Sequence, residues 1–193
     1  MADILFLYNV ERQNKMLEKA WQMSGLAQEF SVQCLTFSST DIFSPTIKTA
    51  AHSAKLILMC WQGVIYDTEL SSCLKKYVQQ LNKPCAFFAT GSPVTDELQK
   101  FSAEDIDKLR QYLLASGMKN FCNFWRYLGQ NFLQACVFAA PPETLPWNGI
   151  YDPASENIFP SLSSYHKFRK KQTGQLTVGI LFTRESWIWR DTA

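Results

Sequence analysis

Unbroken apolar runs are the sequence feature that most constrains the fold of this chain. Three such runs, each five or six residues long, cover residues 4–8, 56–61 and 85–89. A strand reads this way when helices shield both faces of a parallel sheet, so each run predicts a buried strand. Residues 30–37 instead alternate apolar and polar side chains, which predicts an edge strand with one solvated face.

Amphipathic segments separate the predicted strands. Apolar residues recur at helical spacings of three and four over residues 11–28, 69–81, 103–115 and 121–132. Ser44 as a cap and Pro45 at the first helical position predict a short helix over residues 45–52. A regular alternation of strands and helices implies a parallel sheet with right-handed crossovers. We therefore predict an α/β domain over residues 1–140, built on a Rossmann- or flavodoxin-like parallel sheet of about four strands flanked by helices.

Charge and cysteine usage exclude several classes of protein. The net charge is +2, and no basic stripe of the kind that binds nucleic acid is present. The cysteines form no C-x-x-C pair and lie in apolar segments, which predicts buried free thiols in a reducing compartment; they are Cys34, Cys60, Cys73, Cys85, Cys122 and Cys136. No signal peptide and no membrane-spanning run is evident, so a cytoplasmic location without a membrane span is expected.

The C-terminal quarter of the chain predicts a boundary between two domains. Residues 141–175 carry Trp147, Ile150 and Tyr151 among prolines, which indicates a packed connector. Residues 176–182 form another apolar run, so residues 176–193 are interpreted as the start of a second α/β domain. One strand cannot bury its own faces. Either it joins the first sheet or the chain is the front end of a longer protein, and we favour the second.

The connector and the last apolar run resemble a known family. Large, tetrapyrrole-binding subunits of cobaltochelatase and magnesium chelatase carry P-x-x-G-I-Y-H-P near their N-terminus, followed by P-T-V-G-I-L-F-Y-R-S-H. The corresponding residues here are Pro146, Gly149, Ile150, Tyr151, Asp152 and Pro153, and then residues 176–184. Arg184 is retained, but Asp152 replaces the first histidine and the second is also absent. Because histidine can ligate metal or shuttle protons, a metal-handling role for these positions is in doubt.

The resemblance implies the function of the whole assembly. It makes this chain the N-terminal domain of a chelatase large subunit, within a ligase that forms nitrogen–metal bonds in cobalamin or chlorophyll biosynthesis. The implied partners are the rest of the large subunit, the ATPase subunits and the tetrapyrrole. The family's reaction uses ATP-Mg on those partner subunits, with a divalent metal and a tetrapyrrole as substrates. The domain itself is expected to hold no cofactor and to bind ligand, gate access or dock a partner without catalysis.

Candidate binding residues follow the predicted strands, because ligands of open parallel sheets lie beyond the carboxyl ends of the strands. We find no phosphate-binding glycine loop, no activated nucleophile and no metal-ligand set, so no catalytic or metal residue is assigned. The same residue types are also common in turns and cores, and this structural interpretation stays open. The candidate ligand-binding residues at the strand ends, connector and last strand are Asn9, Trp61, Gln62, Ser92, Tyr151 and Arg184.

An alternative function stays open beside the chelatase interpretation. The chain could be a stand-alone flavodoxin-like module that binds a small molecule or a protein and has no catalytic activity. That interpretation predicts that the strand over residues 176–182 pairs within the first sheet.

Overall fold

A computed structural model describes residues 2–38, 44–63, 73, 76–77, 80–91, 98–99, 101–144, 149–152 and 157–169. The chain forms two compact units, Met1–Pro142 and Glu143–Ala193. The predicted strand over residues 176–182 lies outside the described residues, so its pairing stays a prediction.

The first unit is an α/β domain. Its strands are β1 (Ile4–Tyr8), β2 (Val32–Thr36), β3 (Leu56–Trp61), β4 (Cys85–Ala89) and β5 (Leu98–Gln99). Its helices are α1 (Glu11–Met23), α2 (Pro45–Ser53), α3 (Ala103–Ala115) and α4 (Met118–Phe132). Between β3 and β4, Cys73, Lys76, Tyr77 and Gln80 are also helical.

The sheet has the order β2-β1-β3-β4-β5. Strands β1 to β4 pair in parallel, which confirms the predicted sheet of four parallel strands and its edge strand β2. The short strand β5 pairs antiparallel with β4 and was not predicted. Two residues carry too little apolar periodicity to reveal a strand by sequence alone.

Both faces of the sheet are covered, as the apolar runs require. On one face Leu5, Leu7 and Met59 pack with Ile47 and Ala51 of α2. On the other face the ring of Phe6 lies 5.6 Å from that of Phe124 and 5.5 Å from that of Trp125, measured between centroids. The indole Nε1 of Trp125 donates to the carbonyl of Leu17 at 2.8 Å, which fixes α4 against α1.

Two helix ends differ from the prediction by three residues or more: α4 begins at Met118 instead of residue 121, and α1 ends early. Helix α1 ends at Met23, whereas the periodicity predicted a helix to residue 28. Gly25 has φ +87°, a backbone conformation that breaks the helix and that glycine adopts at little cost. Helix α3 begins at Ala103 as predicted, and Ser102 and Asp105 form a reciprocal capping box there.

Cysteine burial follows the prediction only in part. No disulfide forms among the six thiols, and Cys60, Cys85 and Cys122 are buried. Cys73 and Cys136 are exposed, which corrects the prediction that all the thiols are buried. Cys136 follows the end of α4 and is exposed although the preceding Ala135 is buried.

The second unit contains a hairpin and a helix. Strands β6 (Ile150–Asp152) and β7 (Asn157–Phe159) pair antiparallel, and α5 (Leu162–Arg169) follows them. The ring of Phe159 packs against those of Tyr165 and Phe168 at centroid distances of 5.5 and 4.9 Å.

In the part of the chain described here, no helix has both the length and the apolarity needed to cross a membrane.

Candidate functional site

The carboxyl edge of the sheet is where sequence reasoning placed the site. The chain leaves β1 for β2 on one side and later returns to place β3 on the other side, so β1 and β3 flank the switch point of the sheet. Ligands of doubly wound sheets bind in the crevice at such a point. Asn9 directly follows β1, and Gln62 directly follows β3.

Asn9 spans this switch point. Its side-chain Oδ1 accepts a hydrogen bond from the backbone N–H of Gln62 at 2.6 Å. The structure therefore brings two of the predicted site residues together, but it uses the Asn9 carbonyl to join the β1 and β3 loops. The backbone N–H of Gln62 is therefore already hydrogen-bonded and is not available to a ligand.

A second set of bonds joins the loops after β3 and β4. Thr90 Oγ1 accepts from the N–H of Gly63 at 2.9 Å, and the N–H of Gly91 donates to the carbonyl of Gly63 at 2.9 Å. Gly63 has φ +95°, which favours glycine at this turn. Together with the Asn9 bond, these contacts hold three consecutive strand ends to one another.

Trp61 ends β3 at this edge, and its side chain packs toward the core. Its ring is tilted against that of Phe37, with centroids 5.7 Å apart, and it packs on the buried cluster beneath α2. Trp61 thus completes the core, which is the structural role that its sequence position left open.

Among the described residues at this edge, the Cys60 thiol is held in its neutral form and Arg110 is paired with an acid. Burial raises the pKa of the Cys60 thiol well above its ordinary value, so this thiol is a poor nucleophile at neutral pH. On α3, Arg110 contacts the carboxylate of Asp107 at 2.9 Å, and this hydrogen bond lowers the pKa of Asp107. Neither group is poised for proton transfer near pH 7.

Helix α1 contributes a further polar residue to this edge. Asn14, in the first turns of α1, is buried and donates from Nδ2 to Thr36 Oγ1 at 2.9 Å. Its Oδ1 is buried and has no hydrogen-bond partner among the described residues. Sequence reasoning missed Asn14, because a polar residue inside an amphipathic helix gives no signal of its own.

Tyr151 lies in the other unit, on strand β6. Its neighbour Asp152, which replaces the family's histidine, is buried and forms an ion pair with Arg169 of α5. A β-carbon on Gly149 would lie 2.5 Å from Ile158 Cγ2 and 3.0 Å from the carbonyl oxygen of Phe159. The glycine and the acid of the connector motif therefore have structural roles in the hairpin. Ser92 and Arg184, the other predicted site residues, lie outside the described residues.

Two grooves flank α2, away from the predicted site. One has a cavity volume of about 490 Å³ and a neutral lining that includes Gln33, Thr46 and Thr49. The second, called here the lysine groove, has a cavity volume of about 430 Å³. It is lined by Lys48, His52, Cys73, Lys76, Tyr77, Gln80 and Leu81. Sequence reasoning missed it, because its lysines are far apart in the chain and no periodic signal links them.

Metal-ligating side chains do not cluster in the described ranges: no group of three or more histidine, cysteine, aspartate or glutamate residues could hold an ion there.

Comparisons with known proteins show which proteins this chain is similar to. The family model described as CobN/magnesium chelatase matches residues 110–193, which confirms the resemblance predicted from the sequence. Among solved structures, the catalytic subunit of cobaltochelatase from Mycobacterium tuberculosis matches with a TM-score of 0.54 and 14% sequence identity. The match covers 79% of this chain and 12% of that chain, and it shows a shared fold. No curated protein matches the sequence.

Proposed function

We propose, from the premise that residues 110–193 form a CobN/magnesium chelatase region, that this chain works within the large subunit of an ATP-dependent tetrapyrrole metal chelatase. In this proposal it is the N-terminal domain of that subunit. The enzyme would be a ligase that inserts cobalt or magnesium in cobalamin or chlorophyll biosynthesis.

The observation that carries the proposal is the position of the family match. It includes the connector, where Gly149, Ile150 and Tyr151 stand at the positions of the family motif. The hairpin gives a physical reason for that motif, since a side chain at position 149 would collide with β7. The fold shared with a cobaltochelatase catalytic subunit agrees with the same assignment.

Docking a partner or gating access fits this domain better than chemistry does. At the carboxyl edge of the sheet, Asn9 and Thr90 are hydrogen-bonded to neighbouring loops. The thiol there is buried, and the arginine is paired with an acid. We therefore assign the domain a role in docking or gating, with bond formation carried by other parts of the enzyme.

The remaining requirements of the reaction follow from the family. ATP-Mg would act on separate ATPase subunits, and the divalent metal and the tetrapyrrole would enter as substrates. The partners of this chain would be the rest of the large subunit, those ATPase subunits and the tetrapyrrole, in the cytoplasm.

A pull-down with purified chelatase ATPase subunits tests the docking role. The tagged chain should retain cobaltochelatase or magnesium-chelatase ATPase subunits in the presence of ATP-Mg. An unrelated flavodoxin-like domain of similar charge is the control. Retention by neither chelatase set, in the presence of the rest of the large subunit, would contradict the proposal.

Tetrapyrrole binding is tested separately. Protoporphyrin and hydrogenobyrinate are titrated into the chain while tryptophan fluorescence and the pigment's Soret band are followed. Quenching that Asn9→Ala abolishes would favour direct ligand contact at the predicted residues. An unchanged Soret band would restrict the role to docking or gating.

A further inference from the structure

The lysine groove joins a cationic rim to a partly apolar floor. Leu81 is buried and Tyr77 is half-buried at its base, while Lys48, His52 and Lys76 are exposed around it. A volume of about 430 Å³ accommodates a few side chains of a bound segment.

Of the four lysines described between residues 44 and 91, the fold uses two and leaves two without an ion pair. Lys55 Nζ is paired with Asp3 at 2.7 Å. Lys83 Nζ donates to the carbonyls of Ala51, His52 and Ala54 at 2.7 to 3.0 Å. Within the described residues, Lys48 and Lys76 have no ion-pair partner, and both are exposed in the groove.

Acidic side chains do not neutralise the groove in the part of the chain that is described. Residues 44–63, 73, 76–77 and 80–91 contain four lysines and no aspartate or glutamate. Asp41, Asp67 and Glu69, which are close to these ranges in the sequence, lie outside the described residues. A cationic surface with an apolar floor is complementary to a segment that carries both carboxylates and apolar side chains.

The wall of the groove that α2 provides is fixed in advance. Lys83 satisfies three carbonyls at the C-terminus of α2, where a positive charge also interacts favourably with the helix dipole. His52 lies in that last turn and Lys48 lies one turn earlier. Their backbone positions are therefore set before a partner arrives, and a preorganised surface loses less entropy on binding.

We propose that the lysine groove docks an acidic, amphipathic segment of a partner protein, with its apolar side chains on Tyr77 and Leu81 and its carboxylates at Lys48 and Lys76. The inference goes beyond the proposed function, because it assigns a surface and a partner chemistry whatever assembly the chain serves. It concerns the side of the sheet that faces α2, and the predicted ligand residues at the carboxyl edge take no part in it.

Binding of a defined probe tests the inference. A fluorescein-labelled peptide that alternates glutamate with leucine is titrated into the full chain and followed by anisotropy. Its glutamine counterpart is the matched probe. The glutamate peptide should bind saturably, and Lys48→Glu with Lys76→Glu should weaken it at least about tenfold, since charge reversal turns two attractions into repulsions.

The matched control is Lys15→Glu with Lys19→Glu on α1, which changes the net charge equally on the opposite side of the sheet. It should leave the affinity within about twofold. An equal loss in both double variants would overturn the inference in favour of unspecific charge attraction. Absence of saturable binding, or equal binding of the glutamine peptide, would overturn it as well.

Alkylation of Cys73 locates the bound peptide. Cys73 lines the groove, and Cys136 is also exposed but does not line it, so the two thiols report on the groove and on the remaining surface. Saturating peptide should slow modification of Cys73 at least about fivefold and leave Cys136 unchanged, since a covered thiol reacts slowly. Unchanged modification of Cys73 would contradict docking here. A pull-down that fails while peptide protection persists would reject the chelatase proposal alone.

Discussion

The carboxyl edge of the sheet and the lysine groove use polar residues in opposite ways. At the carboxyl edge, Asn9 and Thr90 accept hydrogen bonds from the backbone of neighbouring loops, and the open acceptor described there is Asn14 Oδ1. In the lysine groove, Lys48 and Lys76 are exposed and have no ion-pair partner among the described residues. Polar groups that the fold has already engaged are less available to a ligand than charges that it leaves free.

This difference limits the rule that ligands bind at strand ends. The rule states where open parallel sheets place their ligands, and this sheet has the required switch point between β1 and β3. Here a side chain bridges that point. A switch point therefore indicates a possible ligand site, and the hydrogen bonds that cross it decide whether a ligand can bind there.

The largest expected effect on stability is at Lys83, because its hydrogen bonds fix the end of α2, which forms one wall of the lysine groove. Lys83→Met should lower the free energy of unfolding by about 2 kcal/mol, since three carbonyls at the end of α2 lose an ionic donor. Urea denaturation measures the change. Lys83→Arg keeps the charge and should recover at least half of the stability. Equal losses in both variants would contradict the assignment, because a restored positive charge would then not restore the stability that the ionic donor is said to supply.

Asp3 gives a pH-dependent test at the amino ends of the strands. The pKa of Asp3 is lowered from 3.8 to about 2 by hydrogen bonds from Lys55 and Ser31. Its carboxylate therefore stabilises the fold above about pH 4, and this contribution disappears as the pH falls to about 2. Asp3→Asn should cost about 1.5 kcal/mol at pH 7, because the exposed Lys55 is partly screened, and the cost should become small as the pH falls through about 2.

Denaturant titrations of wild-type protein and Asp3→Asn at several pH values measure this difference. Asp107→Asn serves as a control, because Asp107 pairs within its own helix with Arg110. A stability gap between wild-type protein and Asp3→Asn that stays constant from pH 7 to pH 2 would exclude the ion pair as its cause.

Asn9 tests whether the carboxyl edge is a structural tie. Asn9→Ala should lower the free energy of unfolding by about 1 kcal/mol, because the N–H of Gln62 loses its acceptor and recovers only water. Asn9→Asp keeps an acceptor and should lose less. Peptide affinity at the lysine groove should stay unchanged in both variants. A weakened affinity would show that the carboxyl edge and the lysine groove are coupled.

The smallest expected effect is on stability at the groove itself. Lys48→Glu with Lys76→Glu should change the free energy of unfolding by less than about 0.5 kcal/mol, because neither lysine contributes an ion pair among the described residues. Thermal unfolding checks this expectation. A loss above about 1 kcal/mol would mean that these lysines serve the fold, and the contrast with the carboxyl edge would then fail.

Sequence periodicity predicted the sheet well because burial dictates it. The runs that became β1, β3 and β4 have no polar residue, since both faces of each strand are covered. The capping box at Ser102 is equally local, so it too was predictable. Helix α1 ended early because Gly25 needs a positive φ, a preference that periodicity does not contain.

Site residues were harder to predict because their partners are distant in the sequence. Asn9 and Gln62 are 53 positions apart, and only the fold shows that they meet. The lysine groove likewise joins residues from α2 and from the helical residues near Tyr77. The connector motif gave the resemblance to a family but could not reveal that Asp152 pairs with Arg169.

Hydrogen exchange measured by mass spectrometry tests the central claim most directly. The chain is labelled alone and with saturating glutamate–leucine peptide. We expect slower exchange in α2 and around Cys73 and Gln80, and unchanged exchange at Gln62, Gly63 and Gly91. Slower exchange at those three strand-end residues, with α2 unaffected, would contradict the account and return the binding site to the carboxyl edge.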